Sequence, residues 1–408
     1  MLHLLALPGP AHHCLLPCRG RRGASVWTSH PRAAARAVLQ LADALLELDQ
    51  PVGLLPPPLR PAPSLAEAVA WHDIAHTDDK EPALAALAWG GDDAALGLHA
   101  SVFPAADCDS EQCQLVLANH SGHPVRSANA LVQAQRLRQA LVPDWVRVGT
   151  GAPSWPRFAT SGAASQLRLG TEPGTFQLFA HQAAHGMPKE LRARFSAPLS
   201  DAEGQRAEAR MAQLRSCHGL FVRQLWAGID AGADGIDQLA CAGPSALLIH
   251  EQCLGDQHQV LYACQRELPK LKVLQIARTA LTAADAIQRG TCGGLFVGQH
   301  YLAPAAALER DSGRQLAQLP ENGLCTELRG IDYEPNLLGG GPSRVCLRLP
   351  GCDASALRPG YRLDRKNLPL LHSWVDTHHP EELLPDQLSS AASAERCQAA
   401  SQAWPLQA

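Results

Sequence analysis

The sequence predicts an α/β protein, because short apolar segments with the length of β-strands alternate along the chain with longer amphipathic segments. Apolar residues in the longer segments recur at spacings of three and four, which places them on one face of a helix. The chain has 408 residues, of which 46% are hydrophobic, enough to build a sizeable buried core.

Segments rich in Leu, Val, Ile and Phe are predicted as strands, since these residues suit a pleated, buried surface. The predicted strands are 114–118, 176–179, 220–224, 246–250, 272–277, 294–302 and 345–349. The predicted helices are 31–48, 127–142, 200–217, 259–271, 283–289 and 368–379, and the pair His378-His379 near the end of the last one is expected at the solvated surface.

Charge and hydropathy narrow the class of function. The net charge is −4, from 35 basic and 39 acidic residues, so the chain lacks the positive field that nucleic-acid binding requires. No apolar run approaches the roughly 18 residues that span a bilayer. The apolar start of the chain lacks a basic segment and is interrupted by Pro8, which is untypical of a signal peptide. We expect a cytoplasmic protein whose partners are small molecules rather than nucleic acids or membranes.

The cysteines are numerous but do not form a metal-binding pattern. There are 13, scattered without a pair at CxxC spacing, so most are expected to be small core residues. His12-His13-Cys14 with Cys18 has the residue types of a metal site. Such bare matches are usually false, and we expect no metal.

The segment 339–349 carries the most informative motif. Gly339-Gly340-Gly341-Pro342 leads into a short apolar segment that contains Cys346. Glycines permit positive φ and a close approach of the backbone to a ligand, and a thiolate beyond them would be a nucleophile. A tight turn followed by a buried cysteine explains the same residues without any chemistry.

A series of motifs along nearly the whole chain occurs in the same order as in the N-succinylarginine dihydrolase family of the pentein superfamily, which the chain therefore resembles. The motifs are His30-Pro31-Arg32-Ala33-Ala34, Leu115-Val116-Leu117-Ala118-Asn119, Arg168-Leu169-Gly170, Glu172-Pro173-Gly174, Ile229-Asp230, Gly339-Gly340-Gly341-Pro342 and Trp374-Val375-Asp376. The resemblance implies a pentein-type α/β propeller of about five ββαβ modules around a pseudo-fivefold axis. We expect residues 1–388 to form this single domain and residues 389–408 a tail that forms a loosely docked helix.

The resemblance also implies a chemistry and the side chains that it needs. The family hydrolyses the guanidinium group of N-succinylarginine to N-succinylornithine, ammonia and carbon dioxide, in arginine catabolism and without a cofactor. A cysteine attacks the guanidinium carbon, a histidine transfers protons and a glutamate holds the cation. In this sequence the three positions read Arg344, Gly235 and Ser161.

Cys346 is the remaining candidate nucleophile, if two residues are inserted before it. On a strand that begins before Arg344, Cys346 would share its face but lie about 7 Å further along. No histidine is expected near enough to lower its pKa. If Arg344 points into the pocket, its charge is expected to repel a guanidinium substrate.

Substrate-binding positions are partly retained. By the resemblance, the candidates are Arg126, Asp237 and Gly339–Gly341. Two asparagine positions of the family read Leu98 and Leu338, which removes polar contacts from the pocket.

Three hypotheses remain open. The first is a family member whose catalysis is impaired, that is, a pseudoenzyme, since losing a nucleophile or its base costs on the order of a millionfold in turnover. The second is an active hydrolase that uses the displaced Cys346. The third is a non-catalytic binding or regulatory paralogue. Any ligand is expected to be related to N-succinylarginine, and both a homodimer and pairing with an active paralogue are left open.

Overall fold

The computed structural model describes residues between 1 and 406, with gaps. Described are residues 1–12, 29–60, 94, 96, 100–104, 114–118, 124–150, 166–169, 176–185, 219–233, 235–384, 387 and 390–406. Residues 235–384 form the longest continuous stretch, which holds most of the candidate site.

Short strands and helices alternate throughout the described part of the chain. The strands are β1 Leu2–Ala6, β2 Val52–Leu55, β3 Ala100–Pro104, β4 Gln114–Ala118, β5 Val146–Thr150, β6 Gln166–Arg168, β7 Gln177–His185, β8 Gly219–Leu225, β9 Ala240–Ala242, β10 Ala246–His250, β11 Lys272–Ile276, β12 Leu295–Val297, β13 His300–Pro304, β14 Glu327–Ile331, β15 Cys346–Leu349 and β16 Arg362–Leu363. The helices are α1 Pro31–Glu47, α2 Pro124–Ala140, α3 Trp226–Asp230, α4 Gln257–Glu267, α5 Ala283–Arg289, α6 Arg310–Leu316, α7 Gln318–Glu321, α8 Pro335–Leu338, α9 Pro342–Val345, α10 Leu368–His378 and α11 Ala391–Gln402.

The described strands form five small sheets with one repeated connection pattern. In each sheet a central strand pairs antiparallel with one neighbour and parallel with the next strand along the chain. The strand orders are β3-β4-β5, β6-β7-β8, β9-β10-β11, β12-β13-β14 and β15-β1-β2-β16. The last sheet joins β1, near one end of the chain, to β15, near the other. This repetition matches the ββαβ modules that the family resemblance implies.

Helical crossovers explain the parallel pairs, because a tight hairpin cannot join two parallel strands. Helix α1 connects β1 with β2, α2 connects β4 with β5, and α4 connects β10 with β11. Helices α6 and α7 lie between β13 and β14. The connection from β7 to β8 runs through 186–218, which lies outside the described residues together with the predicted helix 200–217.

The first strands of neighbouring modules lie side by side. β6 contacts β9, β9 contacts β12, and β15 contacts β3. The side chain of Gln166 in β6 donates a hydrogen bond to the Val102 carbonyl in β3, at 3.5 Å. Residues at the ends of these strands are therefore brought close to one another, although they are distant in sequence.

The predicted elements in the described part of the chain overlap the observed ones but differ in several bounds: the predicted helix 259–271 ends at Glu267, and the predicted helix 127–142 is Pro124–Ala140. The predictions 114–118, 246–250 and 283–289 match β4, β10 and α5. The prediction of one strand over 294–302 is wrong. This segment forms the hairpin β12-β13, in which the chain reverses at Gly298 with a φ of 56°. The predicted strand 345–349 begins one residue later, at Cys346, because Pro342–Val345 forms a helical turn.

Aromatic packing joins α10 to the C-terminal helix α11. Trp374 stacks edge-on against Trp404, with ring centroids 5.2 Å apart, and its indole N–H donates to the Ala400 carbonyl at 3.2 Å. Trp374 also meets the ring of His379 edge-on. Both tryptophans are buried, so α11 is held by apolar contact as well as by a directed hydrogen bond.

The expectation of a solvated surface at the end of α10 is wrong for His379. Its side chain is 1% exposed, and its Nε2 lies 2.9 Å from the Pro8 carbonyl oxygen. Burial lowers its pKa from the ordinary 6.5 to about 4, so the ring is neutral at pH 7. In the described part of the chain, no helix combines the length and apolarity that crossing a bilayer requires.

We expect stability to fall between pH 7 and pH 5, in part because of His379. The unfolded histidine takes up a proton near pH 6.5, whereas the folded ring, with a pKa of about 4, does not. The unfolded state then binds more protons, which costs roughly 2 kcal/mol of folding free energy at pH 5. Urea unfolding at both pH values should show a smaller pH dependence for His379→Gln than for the wild type. His258→Gln, at an exposed position, is the matched control. Equal pH dependence in His379→Gln and the wild type would contradict this account.

Candidate functional site

The structure describes some of the predicted site residues and not others. Ser161 and Leu98 lie outside the described residues, and Arg126 lies in the first turn of α2 with only its backbone described. Gly235 is buried in an extended conformation immediately before a one-turn 3₁₀ helix, Ile236–Gln238. That turn carries Asp237, which is 7% exposed.

Each glycine of the motif 339–341 is required for a different reason. Gly339 ends α8 with a φ of 72°, the left-handed conformation that glycine adopts at no steric cost. A Cβ on Gly341 would overlap the Gly293 carbonyl. A Cβ on Gly340 would lie 2.8 Å from Cδ of Arg344. The close approach that the sequence predicts at this motif is therefore, at Gly340, an approach to a side chain of the same protein.

Arg344 and Asp237 form a buried, bidentate ion pair. Nε of Arg344 donates to Oδ2 of Asp237 at 2.8 Å, and Nη2 donates to Oδ1 at 2.9 Å. Nη1 donates to the Gly339 carbonyl at 2.8 Å. The Arg344 side chain is fully buried, and that of Asp237 is 9% exposed. Two parallel charge-assisted bonds make this the strongest type of arginine–carboxylate contact.

This pair changes how Arg344 must be interpreted. The sequence predicts that a guanidinium here repels a cationic substrate; in the structure this guanidinium is bound to the carboxylate of Asp237, one of the predicted substrate-binding positions. Arg344 lies in the turn α9, and Cys346 begins β15, so the spacing of about 7 Å along a common strand does not apply to these two residues. The proline at the first position of α9 favours that turn.

Cys346 has a histidine neighbour that sequence reasoning missed. Its Sγ lies 3.5 Å from Nδ1 of His3, within hydrogen-bond range for sulfur. β1 pairs with β15 so that Leu5 faces Cys346, which makes His3 a diagonal neighbour of Cys346 across the two strands. The signal was a single polar residue inside the apolar segment Leu2–Ala6, but only the pairing of β1 with β15 gives it a partner.

The electrostatics of this pair oppose a reactive thiolate. Burial raises the pKa of Cys346 to about 12, only partly offset by the charge of Arg348. Burial, with Arg348 contributing in the same direction, lowers the pKa of His3 to about 3. Both groups are neutral at pH 7, whereas an activated cysteine pairs with a cationic histidine.

The other described cysteines and His250 are buried in the core. All eight described cysteines are buried and in no disulfide, as expected of small core residues. His250 is 0% exposed, accepts from the Gln252 amide at Nδ1 and lies 2.8 Å from the Leu281 carbonyl at Nε2. Within the described residues, no cluster of three potential metal ligands exists. Three residues of the motif considered for a metal, His13, Cys14 and Cys18, lie outside the described residues.

A second feature lies beyond the C-terminal ends of the inner strands. A cavity of about 200 Å³ is bordered by Arg168, at the end of β6, and by Arg348, two residues after Cys346. Arg348 is anchored at the end of β9, where it donates to the Ala242 carbonyl at 3.0 Å. Arg344 and Asp237 precede their strands, β15 and β9, whereas the cavity lies where these strands end.

Breaking the buried ion pair should destabilise the fold more than breaking an exposed one. We expect Arg344→Met to cost about 3–5 kcal/mol, because Asp237 is left buried without its cation. Adding Asp237→Leu should recover most of this loss, since the buried charge is removed. Urea unfolding of the single and double variants measures both effects.

The matched control is Arg36, whose exposed pair with Asp376 has a distance of 2.7 Å. Arg36→Met should cost less than about 1 kcal/mol. A loss for Arg344→Met no larger than for Arg36→Met, or strictly additive effects at Arg344 and Asp237, would contradict this interpretation.

Comparison with solved structures agrees with the fold. A variant of the N-terminal domain of ArgZ, covalently bound to a reaction intermediate, superposes with a TM-score of 0.50. It is 13% identical in sequence and covers 85% of this chain and 97% of that domain. At this identity the likeness concerns the fold alone. With the five repeated sheets, it supports the pentein-type α/β architecture.

Comparison of sequences identifies the family. The chain is 29% identical over 374 residues to the N-succinylarginine dihydrolase of Novosphingobium aromaticivorans, covering 89% of this chain and 86% of that protein. It is 28% identical over 396 residues to the protein of the same name from Sphingopyxis alaskensis, covering 94% and 92%. The family model for succinylarginine dihydrolase matches residues 21–405. This chain therefore belongs to the succinylarginine dihydrolase family.

Proposed function

We propose that this chain is a member of the family that has lost guanidinium hydrolysis and retains the fold as a binding protein. The observation that carries the proposal is the burial of Cys346, which is only 4% exposed, and this burial raises the pKa of the thiol to about 12. A thiol with a pKa of about 12 is ionised at pH 7 to roughly one part in 10⁵. His3 cannot correct this, because an imidazole with a pKa of about 3 is neither a cationic partner nor an effective base at that pH.

The other substituted positions support the same proposal. Gly235 has no side chain with which to transfer a proton, and its buried position leaves little room for a replacement from solvent. In the alignment without an insertion, Arg344 takes the position of the nucleophilic cysteine, and a guanidinium is a cation without nucleophilic character. Loss of the nucleophile and of the base would each lower turnover on the order of a millionfold, and such losses are not additive.

The alternative, an active hydrolase that uses Cys346, requires an accessible thiolate. Cys346 is 4% exposed, and its neighbour His3 is 1% exposed. His3 borders the cavity of about 200 Å³, so a guanidinium substrate that entered the cavity would still have to displace the interaction between these two buried residues to reach the sulfur. The burial of both side chains therefore favours the hypothesis that this chain does not hydrolyse a guanidinium substrate.

Ammonia release from N-succinylarginine tests the proposal directly. We expect turnover below about 10⁻⁴ of that of the Sphingopyxis alaskensis relative, assayed side by side, because the nucleophile is not ionised. Cys346→Ala, prepared in parallel, separates trace contamination from activity of this chain. Turnover near that of the relative, lost in Cys346→Ala, would overturn the proposal.

The thiol itself can be tested by alkylation. At pH 8 iodoacetamide should modify Cys346 in the folded protein at least about 10³-fold more slowly than free cysteine, because the reagent attacks the thiolate. Peptide mapping by mass spectrometry assigns the modified position, and the rate in urea provides the unfolded reference. Modification of folded Cys346 at the rate of free cysteine would show an activated thiolate and favour the hydrolase.

A further inference from the structure

We propose that the cavity of about 200 Å³ binds a small oxyanion, a phosphate or a carboxylate, next to Arg348 and Arg168. The cavity lies at the C-terminal ends of β6, β9, β12 and β15, whereas Arg344 and Asp237 precede their strands. The inference goes beyond the proposed function and does not rest on it, because an anion bound at Arg348 neither requires nor prevents hydrolysis at another position.

Four of the five sheets contribute residues to this cavity at similar positions. Arg168 is the last residue of β6, and Arg348 is next to the last residue of β15. Gly243 follows β9 directly, and Gly298 follows β12 directly. All four residues border the cavity. Because β6 contacts β9 and β9 contacts β12, the ends of strands from different modules meet around one space.

The charge around the cavity is positive. Two arginines border it, and a guanidinium stays protonated throughout the pH range in which proteins fold. None of the described residues that border it is an aspartate or a glutamate. Like charges beside a shared cavity repel each other, and an anion bound between them removes this repulsion. The cavity therefore favours anions over cations such as guanidinium.

Arg348 is held in position and has donors to spare. Its Nη1 donates to the Ala242 carbonyl at 3.0 Å, and the described part of the chain provides no second acceptor and no carboxylate for it. Its side chain is half-buried, so a ligand can reach it from the cavity. Nε and Nη2 form the edge of a guanidinium that binds an oxyanion through two parallel charge-assisted bonds. This edge remains available when Nη1 is bonded to Ala242.

The neighbours of Arg348 do not cancel its charge. His3 lies directly opposite Arg348 in the pairing of β1 with β15, and it also borders the cavity. Burial is the main cause of the lowered pKa of His3, and the charge of Arg348 acts in the same direction. The ring is therefore neutral at pH 7, and the positive charge of Arg348 is left for a ligand to balance.

The space suits a small ligand. A volume of about 200 Å³ is several times the roughly 30 Å³ that one water molecule occupies in the liquid, so phosphate or malonate fits together with water. A Cβ on Gly298 would meet no atom within 4 Å, although the φ of 56° at this position favours glycine. Position 298 therefore borders open space, into which a substitution can bring a charge.

The test is isothermal titration calorimetry of the full chain with inorganic phosphate and, separately, with malonate at constant low ionic strength. We expect saturable binding of at least one of these anions, with a Kd in the millimolar range or below. Arg348→Gln should weaken it at least about tenfold, because charge-assisted hydrogen bonds are lost. Binding of only one anion identifies whether the site takes phosphate or carboxylate groups. No saturable binding of either anion up to about 10 mM would overturn the proposal.

Arg289→Gln is the matched control. Arg289 also donates through Nη1 to a backbone carbonyl, that of Ala306 at 3.2 Å, and it does not border the cavity. The substitution removes the same charge from the protein and should change the affinity less than about twofold. Equal weakening by Arg289→Gln and Arg348→Gln would show a general effect of net charge and overturn the proposal.

A second pair of variants leaves both arginines in place and supplies the measurement if Arg348→Gln does not fold. Asn and Asp tolerate a positive φ better than other residues with a side chain, so Gly298→Asn and Gly298→Asp differ mainly in charge. Gly298→Asp should weaken anion binding at least about tenfold relative to Gly298→Asn, because its carboxylate competes for the guanidinium groups. Equal affinities of these two variants would overturn the proposal.

Discussion

The ion pair between Arg344 and Asp237 is the constraint on which the candidate site depends. It joins the turn before β15 to the turn before β9, two segments 107 residues apart. A carboxylate and a guanidinium are costly to bury separately, so each fixes the position of the other. The glycine motif serves this pair: one glycine ends the preceding helix, one leaves space for the arginine, and one allows the turn to meet the neighbouring module.

The candidate site keeps groups that can bind a guanidinium, whereas the groups that a hydrolysis would need are substituted or neutral. A carboxylate and a carbonyl suited to a guanidinium are present, and the cation that meets them belongs to the protein. The thiol of Cys346 at the start of β15 is buried, and both it and its histidine neighbour are neutral. Binding chemistry can persist after reaction chemistry is lost, because a carboxylate needs only the right partner, whereas a nucleophile needs ionisation and access.

Local sequence patterns predicted the elements whose stability is local. Helix α1 follows its apolar spacing, and β10 is an uninterrupted apolar run from Ala246 to Ile249 that ends at His250. Elements interrupted by one special residue were less predictable: Gly298 turns one expected strand into a hairpin, and the turn that begins at Pro342 removes Val345 from the start of another. The contact of His3 with Cys346 spans 343 residues, and no periodicity near either residue encodes it. Resemblance to the family named Asp237 as a substrate-binding candidate, but its contact with Arg344 could be found only from the three-dimensional structure.

The sheet that contains Cys346 has a consequence for synthesis. Its strand Leu2–Ala6 leaves the ribosome well before its antiparallel partner, Cys346–Leu349, because more than roughly 300 residues separate the two strands in the sequence. Until then β1 can pair with β2 along one edge, while its other edge remains an open row of backbone donors and acceptors. Pairings of such sequence separation form slowly. The nascent protein thus holds an apolar strand edge exposed for much of its translation, a state in which chaperones protect chains from aggregation.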